Sequence, residues 1–156
     1  MRLLLDTTYL LPVIGVSIEG LPEDALIQLI EKGHQISISE IAIFELSAKG
    51  AKHIVKGGLT AERVSRGIRA IVHDDRLRMI PIHDSSVLIT SFKLRAILDD
   101  FIGCLILSSA MNRNDALVTE DEAIRDLRKE REFQELLQTI NPEFKIQTLM
   151  ETTQTY

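Results

Sequence analysis

Short, continuous apolar runs alternate along this chain with longer stretches in which apolar residues recur every three or four positions. Leu3-Leu4-Leu5 is the first run and reads as a fully buried strand over residues 2–6. Ile36-Ser37-Ile38, residues 78–82 with a proline at the exit, and Ala116-Leu117-Val118 read as three more strands, and residues 144–148 alternate like a last edge strand. Between the runs the period is helical. Residues 9–15 form an apolar, helix-like run that stops at Gly15, where Pro12 is tolerated only near a first turn. Leu21-Pro22-Glu23-Asp24 opens the next helix and Lys32-Gly33 closes it. Ser39 is placed to cap a helix running to a stop at Gly50, Thr60 to cap one carrying Val64, Ile68 and Ile71, and Asp84 or Ser85 to start a long one through Ile97. Residues 99–121 read as a helix, a polar turn, a short strand and a strand end loaded with acid, and residues 122–139 as one or two charged helices. Residues 151–156 carry no packing signal and read as a disordered tail. Strands alternating with helices predict an α/β fold, a three-layer α/β/α sandwich around a mostly parallel sheet.

At 156 residues the chain is most simply one domain, over residues 1–150. Cys104 is the only cysteine, which excludes an internal disulfide, and its place in an apolar helix marks an inert core thiol. The four histidines are scattered, without zinc spacing. A net charge of −5 argues against nonspecific coating of nucleic acid but leaves room for a local basic rim. No apolar run reaches the roughly 18–20 residues of a membrane span, and no signal peptide is visible. The expected location is cytoplasmic.

In an open parallel sheet, ligands sit outside the carboxyl ends of the strands. Two apolar strands each deliver acid there: one runs into Asp6-Thr7-Thr8, the other into Thr119-Glu120-Asp121. Each acid also has a plain structural reading, Asp6 as a helix N-cap and Asp121 as a carboxylate at the positive end of a helix dipole. Glu45 is harder to dismiss. If Ile41, Phe44 and Ala48 define the buried face of their helix, Glu45 falls within it, and an ionised carboxylate there needs an arginine or a metal. Glu40 lies in the first turn, off that face, and serves the dipole. Asp99 and Asp100 lead the central helix, with Asp100 as its N-cap. Gly103 lies on the same face inside a strong helical pattern, where glycine costs about 1 kcal/mol relative to alanine.

An Asp-Thr pair ending the first strand, a Glu-Leu inside the helix after a Ser-capped strand, and an acid-led helix running into LVTED together resemble the PIN-domain family. The stretch LLLDTTYLLP is similar to archaeal members in particular. The resemblance implies an α/β/α fold whose clustered acids bind Mg²⁺ or Mn²⁺ and hydrolyse RNA phosphodiesters. It also implies, for toxin-type members, an antitoxin protein. Carried over, Asp6 takes the first acidic position, Glu45 the second and Asp121 the fourth, with Thr119 as helper and Thr7 and Glu120 beside them. The third position falls on Gly103, and Asp100 or Asp99 would have to supply that charge from one turn away. The mechanism implied is metal-assisted hydrolysis: carboxylates hold one or two divalent ions that activate an attacking water. Lys49, Lys52, Lys56, Arg63 and Arg66 are available to hold an RNA backbone, although scattered charges of this kind are more often a solvated surface.

The leading expectation is therefore a divalent-metal-dependent endoribonuclease. The alternative is a catalytically weakened or inactive PIN-like module acting in RNA binding or protein assembly, with Gly103 as its support. An aspartate phosphatase or receiver-like domain is disfavoured, because Asp6-Thr7-Thr8 lacks the D-x-D spacing and no suitable lysine follows a strand. A homodimer is expected, through apolar surface at Tyr9-Leu10-Leu11 and the helix over residues 85–98.

Overall fold

The computed structural model describes residues 1–155. Among the described residues five strands form one sheet: β1 (Arg2–Leu5), β2 (Gln35–Ser39), β3 (Leu77–Ile80), β4 (Ala116–Val118) and β5 (Lys145–Gln147). Their order is β3-β2-β1-β4-β5 and all four pairings are parallel. The helices between them are α1 (Ala25–Glu31), α2 (Glu40–Val55), α3 (Ala61–Val72), α4 (Ser85–Leu94), α5 (Phe101–Arg113), α6 (Glu122–Asp126), α7 (Arg131–Ile140) and α8 (Leu149–Gln154), with 3-10 turns over Thr7–Ile14 and Leu127–Lys129.

Side chains alternate across a strand, so each apolar run feeds two cores. Leu3, Leu5, Ile36, Ile38, Ala116 and Val118 face one core, closed by the first 3-10 turn and by α1, α2 and α3. Leu4, Ile80, Leu117 and Ile146 face the other, closed by α4, α5, α6 and α7. The result is the expected α/β/α sandwich. Among the described residues no helix is long and apolar enough to cross a membrane.

Three local expectations change. The run after Thr7 winds as a 3-10 turn, which takes Pro12 internally, and it stops where Gly15 adopts φ +97°. Helix α2 does not end at Gly50 but continues to Val55. Gly50 is a packing glycine, since a Cβ there would stand 2.6 Å from Val64 Cγ1 on α3. The segment expected to be a disordered tail is helix α8 through residue 154: Thr148 and Glu151 form a capping box and Thr152 is fully buried. Tyr156 lies outside the described residues.

Candidate functional site: a carboxylate cleft at the switch point

The chain leaves β1 for β2 on one side, while β4 enters on the other, so the crevice opens above the β1–β4 pair. The register pairs Leu5 with Val118, which puts the next residues, Asp6 and Thr119, side by side. A cleft of about 350 Å³ lies there. Asp6, Glu45, Asp100, Glu120 and Asp121 line it, with Lys49 as the one cationic side chain in its wall among the described residues.

Asp6 is buried and doubly anchored. The Thr7 N–H donates to Oδ1 at 2.8 Å and the Thr119 hydroxyl to Oδ2 at 2.6 Å. Burial pushes its carboxyl above the ordinary carboxylate range, the two hydrogen bonds pull the other way, and the charges of Glu45 and Asp121 push it up further. Thr119 also accepts the Asp121 N–H at 3.1 Å, so one hydroxyl ties the two strand ends together. Asp121 caps α6 by accepting the Ile124 N–H at 3.1 Å. Asp121 is thus both a helix cap and a carboxylate lining the cleft.

Asp100 caps α5 through Oδ1, which accepts the Ile102 N–H at 3.1 Å. Its other oxygen, Oδ2, stands 3.2 Å from where a Cβ on Gly103 would be. The interior glycine that sequence alone leaves unexplained makes room for this carboxylate. Cys104, beneath it, is buried against Leu98, and burial together with the Asp100 charge raises its thiol to about 11.

Several expectations are corrected. Glu45 is half-buried, not buried: α2 turns Ala42, Leu46 and Gly50 inward, while Phe44 is 64% exposed. The buried stripe is rotated from the expected one, and Glu45 sits on its edge, lining the cleft. Asp99 stands outside the cleft, fully exposed and paired with Arg95. Thr7 is buried beside Asp6 and does not line the cleft; Thr8 does. Glu120 lines the cleft, but its Oε1 accepts the Tyr9 hydroxyl at 2.7 Å and the Leu149 N–H at 3.0 Å, so it fastens α8 to the body. Glu40 accepts the Ile82 N–H at 3.0 Å. Of the five basic residues proposed for RNA, Lys49 alone lines the cleft, and Arg63 is turned onto the Val13 carbonyl. Tyr9, Leu10 and Leu11 are core residues and offer no dimer surface.

The donors are hard oxygens, the chemistry that Mg²⁺ and Mn²⁺ prefer. Their arrangement is another matter. Among the described residues no group of three or more Asp, Glu, His or Cys side chains is placed to hold a metal ion. The two oxygens of Asp6 and one each of Asp100 and Asp121 accept N–H or O–H donors, which fixes their orientation and leaves each a further lone pair. In the kind of their donors the residues suit a divalent ion.

Solved structures share this fold. A chain of VapBC2 from Rickettsia felis, crystallised bound to a DNA fragment from their promoter, matches with a TM-score of 0.59 and 20% identity, over 95% of this chain and 98% of that one. A chain of DNA-bound VapBC from Salmonella typhimurium matches with a TM-score of 0.54 and 20% identity, over 96% and 98%. No curated protein matches the sequence. The family model described as PIN domain matches residues 3–130, which takes in both strand ends, α2 and the acid-led helix α5. This chain belongs to the PIN-domain family.

Proposed function

We propose that this chain is a catalytically weakened PIN-domain module that binds RNA in the carboxylate cleft and assembles with a protein partner. The observation that carries this reading is at Gly103. An inward acid is absent from α5, and the neighbouring Asp100 leans over the gap while still committed to capping the helix. A partner of antitoxin type is supported by the fold shared with two VapBC chains. Self-association is supported by α4, which leaves Ile89 and Phe92 more than half exposed, with Phe92 stacked on Phe101. Lys49 is the residue in the cleft wall suited to a phosphate.

A second reading, a fully active endoribonuclease using Mg²⁺ or Mn²⁺, has one specific observation in its favour. Asp6 is held in a site where Glu45 and Asp121 repel its ionised form, a crowding that a bound cation would relieve. One experiment separates the two. Binding of a fluorescein-labelled RNA is measured by anisotropy in EDTA, and cleavage of the same RNA is followed in millimolar Mn²⁺, with Asp6→Asn as control. Binding without turnover is the expected result. Turnover in Mn²⁺ that Asp6→Asn abolishes would establish the nuclease reading instead, and absence of both binding in EDTA and turnover in Mn²⁺ would remove RNA as the ligand.

A further inference from the structure

A second cavity, of about 540 Å³, adjoins the carboxylate cleft, and the two share a wall made by Thr8 and Glu120. One side of it is the loop over residues 18–22, which presents Ile18, Leu21 and Pro22; the other is the start of α8, which presents Leu149 and a Met150 that is 64% exposed. This wall is built rather than incidental. Glu120 fixes Leu149, the capping box fixes the first turn of α8, and Thr152 anchors the helix in the core.

The polar groups on the rim share one character. Glu19 is exposed and makes no hydrogen bond or ion pair among the described residues. Gln28 donates its amide N–H to Asp24 at 2.8 Å, which leaves its carbonyl oxygen as an acceptor. No cation lines the cavity among the described residues, so it does not suit a phosphate. It suits a flat apolar group that carries N–H donors on its edge and is joined to a polymer lying in the neighbouring cleft.

We propose that this cavity is the subsite for a guanine base of the bound RNA. The inference rests on the RNA-binding reading of the cleft and adds the base it selects. Single-stranded RNA is read by stacking bases between apolar surfaces and by hydrogen bonds to their Watson–Crick edges. Guanine alone presents two adjacent N–H donors there, N1–H and N2–H, and a carboxylate accepts both at once through its two oxygens. Adenine and cytosine place a ring-nitrogen acceptor beside their amino group, and uracil places carbonyls on both sides of its single N–H. Each of these would set an acceptor against the Glu19 carboxylate. The Gln28 carbonyl is a further acceptor on the rim, open to the second N2–H of guanine.

The test uses the full chain in EDTA, with methyl-¹³C-methionine labelling and the RNAs UUGUU, UUAUU, UUCUU and UUUUU. Anisotropy should show UUGUU binding about tenfold tighter than the other three, the discrimination typical of a bidentate base contact. The Met150 methyl resonance should move with UUGUU, and Glu19→Gln, at an exposed position, should reduce UUGUU to the affinity of UUUUU. Equal binding of all four RNAs with a silent Met150 would overturn the subsite while leaving the cleft as an RNA site. Guanine preference without a Met150 shift would place the base elsewhere and overturn it too. A Met150 shift that follows protein concentration rather than RNA would make the cavity a contact between copies, against the proposal. Failure of every RNA to bind would overturn both the subsite and the reading beneath it.

Discussion

The contact between Asp100 and Gly103 makes a quantitative prediction. Replacing a helical glycine by alanine stabilises a helix by up to about 1 kcal/mol, the upper figure belonging to interior positions, and Gly103 lies in the first turn of α5. At Gly103 the new methyl would meet Asp100 Oδ2 at 3.2 Å and Leu98 Cδ2 at 3.5 Å. The second distance is ordinary contact; the first requires the carboxylate to move. If Asp100 rotates away it gives up some or all of the cap on the Ile102 N–H, a bond of a type that contributes about 1 kcal/mol. In the wild-type background Gly103→Ala should therefore be nearly neutral. In an Asp100→Ala background the obstruction is gone and a stabilisation of roughly 0.5–1 kcal/mol should appear. The double-mutant cycle then yields a coupling of roughly 0.5–1 kcal/mol. Urea denaturation of the four proteins at one pH measures it, with midpoints compared at constant slope. Equal stabilisation by Gly103→Ala in both backgrounds would refute the idea that the glycine exists to admit the Asp100 carboxylate, and with it the observation on which the weakened-site reading stands.

Restoring the missing acid is the complementary perturbation: Gly103→Asp should tighten Mn²⁺ binding measured by calorimetry, at some cost to the α5 cap as Asp100 is displaced, and unchanged affinity would show that the third position is not limiting. Asp6→Asn should raise the melting temperature at pH 7 by a few degrees, on the order of 1 kcal/mol. The folded-state value of Asp6 is raised, so the wild-type protein loses stability as pH rises from the unfolded value of about 3.9 through the folded one; the advantage of the asparagine variant should therefore shrink below pH 4, and a pH-independent gain would refute the assignment. Gly67→Ala should destabilise by roughly 1–3 kcal/mol or more, because a Cβ there would stand 2.4 Å from the Val13 carbonyl oxygen and 2.9 Å from Ile14 Cα, neither of which is a flexible side chain; a neutral result in thermal melts would contradict the close approach of α3 to the 3-10 turn.

The runs Leu3-Leu4-Leu5 and Ala116-Leu117-Val118 were enough to specify interior strands of a parallel sheet, because a strand covered on both faces has no polar side to show. The acids that follow them were legible as strand-end groups for the same reason: the place of the cleft follows from where buried strands stop. Caps at Thr60, Asp84 and Asp100 were equally readable, since they depend on a few neighbouring residues. What depended on partners distant in sequence was not. The stripe of α2 could be drawn through Phe44 or through Leu46 with similar periodicity, and only the packing of that helix on its neighbours decided that Phe44 faces outward and Glu45 the cleft rim. Asp99 and Asp100 were both open as the source of the missing charge, yet the turn into α5 sends one to Arg95 and solvent and the other over Gly103. Gly50 looked like a helix stop because the chain carries no mark of the Val64 pressed against it. The last helix escaped notice because six polar and mixed residues have no period of their own; it forms through a capping box and a tether from Glu120, a residue 29 positions away. Local chemistry wrote the elements and the strand-end acids, whereas which of those acids meet, and what walls the space beside them, was decided by contacts between segments that only folding brings together.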